Sequence, residues 1–378
     1  MGTIFLFHSS RAFSTTPWSV MNATPDLGFT LFDAFISGWI MPLFFVISGV
    51  AVYFSIKKRN GLQFCKDRFL RLMIPFLTVG LFVVLPVNGY YDAVFHGEFQ
   101  GSFLSFYLGP YFTNFFPFTL HFSATYFANS NQGIYLWYLF WLFTFSLITF
   151  PLFKWIAKET TRSRLAGLYA ACNRRGGMLL LSIPIVLVNI VAIPPYFIFP
   201  SGYGGWKLPT YLALFIVAYI IASSPHFEAS LEKNRLISLI IALMTSAVVI
   251  LVAAQSGTEG VASDPALIYR SYLLVSTIWA FNGWCWVTAI LGFGSKYLSF
   301  NHKYLNVANE LVLPFYVLHQ SVIVAVAYYA VALNLPVIAK YALIVLAAFP
   351  IIVALLYPVS KVNLLRFLFG MRTLRKTR

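Results

Sequence analysis

Charge is what this sequence has least of. Lys, Arg, Asp and Glu make up 10% of the 378 residues, against about 25% in a soluble domain, and that shortage excludes an ordinary water-soluble fold. Acidic residues are the scarcer kind, 11 against 26 basic ones, which leaves a net charge of +15. Cysteine is also rare. Cys65, Cys172 and Cys285 show no metal-ligand spacing, and no disulfide is expected among them. A phosphate-cradling glycine loop, an H-E-x-x-H motif and a paired-carboxylate arrangement are all missing. Neither a metal nor a permanently bound cofactor is implied.

Apolar residues take up the space: 60% of the chain is hydrophobic and 19% aromatic. Runs of membrane-helix length cover 33–55, 68–90, 133–157, 177–199, 207–222, 235–254, 270–294, 311–333 and 337–359. The one at 207–222 is short; the others approach the roughly 20 residues that cross a bilayer. With the apolar opening MGTIFLFHSSRAF the count is about ten. The expected fold is all-α and polytopic, one integral-membrane domain over 1–378 with the lipid bilayer as its surroundings.

The basic residues orient these helices, because Lys and Arg collect in cytoplasmic loops. If the opening fragment ends outside and loops alternate from there, 22 of the 26 basic residues fall on the cytoplasmic side. Only Arg11, Lys207, Arg270 and Lys340 fall outside or at outer helix ends. The positive charge is therefore topological. Nucleic acid would need a basic patch on one folded face, and it is not an expected partner. Both termini are expected in the cytoplasm, with the protein in the inner (plasma) membrane. The helix at 33–55 must then run inward, so the opening fragment reads as the outer part of a spanning helix that begins before Met1. His8 would lie within the membrane, a few residues below its outer surface. The longest outer stretch, 91–132, is dense in aromatics, which suit an interfacial belt or stacking against a sugar ring.

Ionisable groups inside a membrane are functional candidates. His8 is the first, since imidazole takes and returns a proton near neutral pH; the alternative is a histidine bonded within the bundle. His319, in LPFYVLHQSVIV, lies nine residues beyond Glu310, roughly 13 Å into the bilayer, and the same two readings apply to it. Glu310 itself sits at a helix entrance, where an acid suits the dipole. Arg68 and Arg71, in CKDRFLRLMIPF, are three apart and share a helix face. Topology explains them as well as a bidentate grip on phosphates does. In MPLFFVISG, Gly49 and Ser48 favour close helix approach, and Ser48 has no nucleophile elbow around it.

Together these segments resemble the membrane-bound acyltransferase-3 family, and within it the subgroup of glucan-modifying succinyltransferases known as glucans biosynthesis protein C. The resemblance rests on a histidine late in the first helix (LFHSSRAF), the FFVISG helix, and RFLRLMIP after a basic loop. It continues through YLWYLFWL at 135–142 and NELVLPFYVLHQSVI at 309–323. The family usually pairs the first-helix histidine with an arginine eleven positions earlier, which here would precede Met1. Where relatives often read H-L-W-F-L, this chain has Tyr135-Leu136-Trp137-Tyr138-Leu139, so that histidine's role does not carry over to Tyr135.

The resemblance implies transfer of a short acyl group from cytoplasmic acyl-CoA to a hydroxyl, usually of a carbohydrate, at the outer face. His8 would be the general base, Arg68 and Arg71 would hold the acyl-CoA, and Ser48, Trp137, Glu310 and His319 are candidates to line the site. A covalent acyl-histidine is another route. The competing reading is a transporter or flippase of a sugar or lipid-linked substrate. Repeated halves with broken helices would favour it, and the sequence shows no internal repeat. A degenerate family member that only binds is a third reading.

Overall fold

The computed structural model describes residues 1–115, 136–191, 206–255 and 265–374. Every long regular element among them is an α-helix or a π-helical extension of one. Among the described residues, six helices are long and apolar enough to cross a membrane: Leu27–Lys57, Gly61–Phe95, Phe227–Leu251, Leu273–Tyr297, Leu305–Val331 and Val337–Lys361. The pair Trp137–Ile148 and Phe150–Ile156, bent by 53°, makes a seventh if it is counted as one span. Pro151, in the first turn of the second helix, has no N–H to carry the hydrogen-bond ladder across that break. The shorter apolar helices Gly177–Val191 and Leu208–Ala222 and the first helix, Gly2–Ser10, complete the ten expected segments. Leu346, Leu251 and Leu187 stand exposed on their helices. Such faces would be a liability in water and are ordinary in lipid. This is a multi-pass membrane protein.

The chain falls into two compact units. The first joins Met1–Ala34, Cys65–Thr144 and His302–Arg378. In its core the first helix packs on the helical hairpin Leu305–Val331 and Val337–Lys361, with the Phe5 ring 6.0 Å from Phe315 and 5.9 Å from Phe349. The Gly61–Phe95 helix lies along Leu305–Val331. It widens into π-helical turns at Phe69–Met73 and Phe76–Val84, a form that recurs at functional sites. Two prolines account for much of this. Pro75 interrupts the ladder, and the Thr78 hydroxyl donates to Ile74 O at 2.7 Å. Pro86 withholds the N–H that the carbonyls of Phe82 (α spacing) and Leu81 (π spacing) would receive. Residues 103–111 fold back to replace it: the Tyr107 hydroxyl donates to Phe82 O at 3.3 Å and the Tyr111 hydroxyl donates to Leu81 O. Phe106 and Tyr111 are thereby buried with Leu85, so these two aromatics of the outer stretch are core. Part of that stretch, 116–132, lies outside the described residues, as does Tyr135.

At the opposite end of this unit the chain turns at Gly370, whose φ of +69° favours glycine. A Cβ there would lie 2.4 Å from Arg71 O, so the C-terminal segment docks directly on the Arg71 turn. Thr78 Oγ1 also lies 3.3 Å from Leu368 O.

The second unit joins Phe35–Phe64 and Phe145–Asn301. Ile40–Lys57 packs on Leu208–Ala222 through Gly49, where a Cβ would meet Phe215 O at 2.4 Å. The close helix approach expected of FFVISG is found at that residue. The helices Phe227–Gln255 and Pro265–Tyr297 form a hairpin clasped by Asn282, whose Nδ2 donates to Ala242 O at 2.8 Å and lies 2.7 Å from Thr245 Oγ1 and 2.9 Å from Ser246 Oγ.

Candidate active site

The first helix and Leu305–Val331 run in the same direction, Phe5 beside Phe315 and, one turn on, His8 beside His319. The two imidazole centroids are 5.2 Å apart. Two histidines that lie far apart in the chain thus form one site.

His319 is 2% exposed. Its ring stacks over Phe315 at 6.1 Å, and its Nδ1 is 2.6 Å from Tyr316 O. A carbonyl only accepts, so in neutral imidazole Nδ1 carries the proton and Nε2 is left with its lone pair. That Nε2 is buried without a partner among the described residues, and so is His8 Nδ1. His8 itself is half-buried, edge-on to Phe7 at 5.1 Å.

One turn beyond His8 the first helix turns polar. Ser10 Oγ donates to Asp33 Oδ1, Arg11 Nη1 lies 3.8 Å from Asp33 Oδ2, and Arg11 Nη2 donates to Pro17 O at 3.2 Å. Asp33 is buried. The network fixes the end of the helix that carries His8. Arg11 and Asp33 were not among the expected site residues, although an acid alone in an apolar run, LFDAFISG, was a readable signal.

The other expected residues fall in different places. Glu310 is exposed and pairs with Arg366 Nη2 at 3.1 Å, at the far end of the His319 helix. Arg366 is buried and also donates to Arg372 O at 2.6 Å and Ser360 O at 3.0 Å. By charge counting it was only one more cytoplasmic cation. Arg68 ends the helical stretch Gly61–Arg68, and Arg71 is exposed in the π-helical turn against which Gly370 packs. The turn that holds Arg71 and the Glu310–Arg366 pair are thus joined by the docked C-terminal segment. Trp137 is half-buried, and the next residue, Tyr138, lies 5.8 Å from the Tyr316 ring on the His319 helix. Ser48 lies in the second unit, half-buried on Ile40–Lys57. No three His, Cys, Asp or Glu side chains converge as metal ligands among the described residues.

A family described as an acyltransferase domain, acyltransferase-3, matches residues 1–357, nearly the whole chain. This chain belongs to the acyltransferase-3 family. Similar curated proteins include the glucans biosynthesis protein C of Salmonella paratyphi B, Salmonella heidelberg and Salmonella agona. Each is 40% identical over 80 residues, covering 21% of this chain and 21% of the relative. The chain thus spans about a fifth of the length of these relatives in the matched region. No solved structure matches it.

Proposed function

We propose that this acyltransferase-3 protein moves a short acyl group, acetyl or succinyl, from cytoplasmic acyl-CoA to a hydroxyl of an extracytoplasmic carbohydrate, with His8 as general base. The observation that carries the reading is the histidine pair, two imidazoles 5.2 Å apart inside a membrane bundle, each with a buried nitrogen that no described residue satisfies. Such groups are costly to keep in a membrane, and proton transfer is the chemistry imidazole does best. In the reaction, the acceptor oxygen attacks the thioester carbonyl carbon while His8 takes the hydroxyl proton. The C–S bond breaks, and the proton passes to the coenzyme A thiolate. His319, its Nδ1 proton held on Tyr316 O, keeps an unprotonated Nε2 on a ring 5.2 Å from that of His8.

Donor binding is assigned to Arg68 and Arg71 at the cytoplasmic end of the first unit. The Glu310–Arg366 pair marks that end on the His319 helix, nine residues before the histidine and so about 13 Å along the axis. Phosphates held there would send the flexible arm of the coenzyme toward the imidazoles. The name of the relatives supports a glucan as acceptor, and the distribution of Lys and Arg supports an inner-membrane location with both termini in the cytoplasm.

The test is acyl-CoA binding to the purified, detergent-solubilised protein. Arg68→Ala and Arg71→Ala are each expected to weaken it by about 1.5–3 kcal/mol, the range for hydrogen bonds to charged groups. Lys at either position should restore only part, because the bidentate fork is lost. A folded wild type that binds no acyl-CoA overturns the proposal.

A further inference from the structure

Asn88 is 3% exposed, yet neither its Oδ1 nor its Nδ2 has a hydrogen-bond partner among the described residues. A buried amide left empty at both atoms costs stability, and native proteins keep few of them. Repair of the helix does not explain this one. The two carbonyls left open by Pro86 are already met by Tyr107 and Tyr111.

Its position is informative. Gly61–Phe95 and Leu305–Val331 run side by side in parallel, with Ser321 Oγ 3.5 Å from Val84 O and the Tyr91 ring 5.3 Å from Tyr328. Both pairs have the same offset in sequence, which puts Asn88 level with Ala325. It therefore lies about 9 Å along the bundle axis from the level of His319, on the side away from Arg71. Beyond it stand Tyr91, Tyr328 and Tyr329, with the Tyr91 and Tyr329 rings 6.2 Å apart and Tyr329 largely exposed.

We infer that Asn88 is a binding residue for the acceptor, taking neighbouring hydroxyl groups of a sugar ring. An amide offers an acceptor and a donor side by side, and a hydroxyl can both give and receive. Two adjacent sugar hydroxyls satisfy both atoms at once. An anion would leave Oδ1 unmet, a cation would leave Nδ2 unmet, and an acyl chain would meet neither. The three tyrosines supply apolar faces with polar rims at the end through which a sugar would enter. This inference rests on the acyl-transfer reading and adds where the acceptor lies relative to the imidazoles.

The experiment compares wild type, Asn88→Leu and Asn88→Ala in detergent, using succinyl-CoA and acetyl-CoA as donors and a soluble glucan oligosaccharide as acceptor. Melting temperature, acyl-CoA binding and the KM for the oligosaccharide are read together. Asn88→Leu should melt no lower than wild type, because it removes an unsatisfied amide at similar volume. Both variants should raise the oligosaccharide KM roughly ten-fold and leave acyl-CoA binding unchanged. An unchanged KM in folded Asn88→Ala overturns the inference, whatever becomes of the leucine variant. So does a lower melting temperature for Asn88→Leu, which would mean that the amide has partners in the folded protein. A wild type that binds acyl-CoA but acylates no glucan overturns the sugar ligand alone. A wild type that binds no acyl-CoA removes the acyl-transfer reading as well.

Discussion

His8 and His319 differ in how they are held, and so should their variants. His319 has one nitrogen tied to a backbone carbonyl at 2.6 Å and its ring stacked on Phe315, so it is oriented before any substrate arrives. His8 has aromatic neighbours and no bond to Nδ1 among the described residues, which leaves it able to change proton partners. His8→Ala is expected to cut acyl transfer by about 10²–10⁴-fold, the usual range for a general base, with insertion and acyl-CoA binding intact. His319→Ala should cost less. Because the two act on one proton, the double variant should be little worse than His8→Ala alone. Steady-state transfer rates for the three variants check this, and near-normal turnover without His8 would remove it from the mechanism. Each histidine was readable as an imidazole in an apolar run. That they meet was not, because periodicity and motif spacing report only local neighbours, and this contact joins residues about 300 positions apart.

Among the helices, legibility followed length. The long apolar runs announced themselves, and their observed bounds differ from the expected ones mainly in the polar turns at their ends. What periodicity missed was the consequence of proline. LFVVLPVNGYYD reads as a continuous helix, and around Pro86 two tyrosines some 20 residues on lend their hydroxyls to Leu81 and Phe82. Their aromatic character pointed to the membrane interface or to a ligand, yet the Tyr111 hydroxyl donates to a backbone carbonyl, Leu81 O. Tyr111→Phe keeps the ring and removes that donor. It should destabilise the first unit by about 1–3 kcal/mol, the cost of a buried unsatisfied acceptor, as read from thermal melting in detergent. The same widening at Phe69–Met73 qualifies the expectation that Arg68 and Arg71 share a face, since residues three apart stand further round a π-helical turn than an α-helical one.

For the whole molecule, the proposed orientation predicts that a cysteine at Ser102 reacts with an impermeant thiol reagent added to intact cells and that one at Ser163 does not. Both positions are exposed, so accessibility depends on the side of the membrane, and the reverse pattern would invert the assignment of donor and acceptor ends. The unit that holds the histidines is assembled from three separate stretches of chain, with Phe145–Asn301 of the second unit made in between. His8 is synthesised before His319, about 300 residues ahead of it, a gap of tens of seconds at roughly 5–20 residues per second. Through that interval the ribosome has delivered one imidazole and not the other. A nascent chain that has not yet reached His319 lacks the pair, so the two-imidazole arrangement cannot exist before that residue is made.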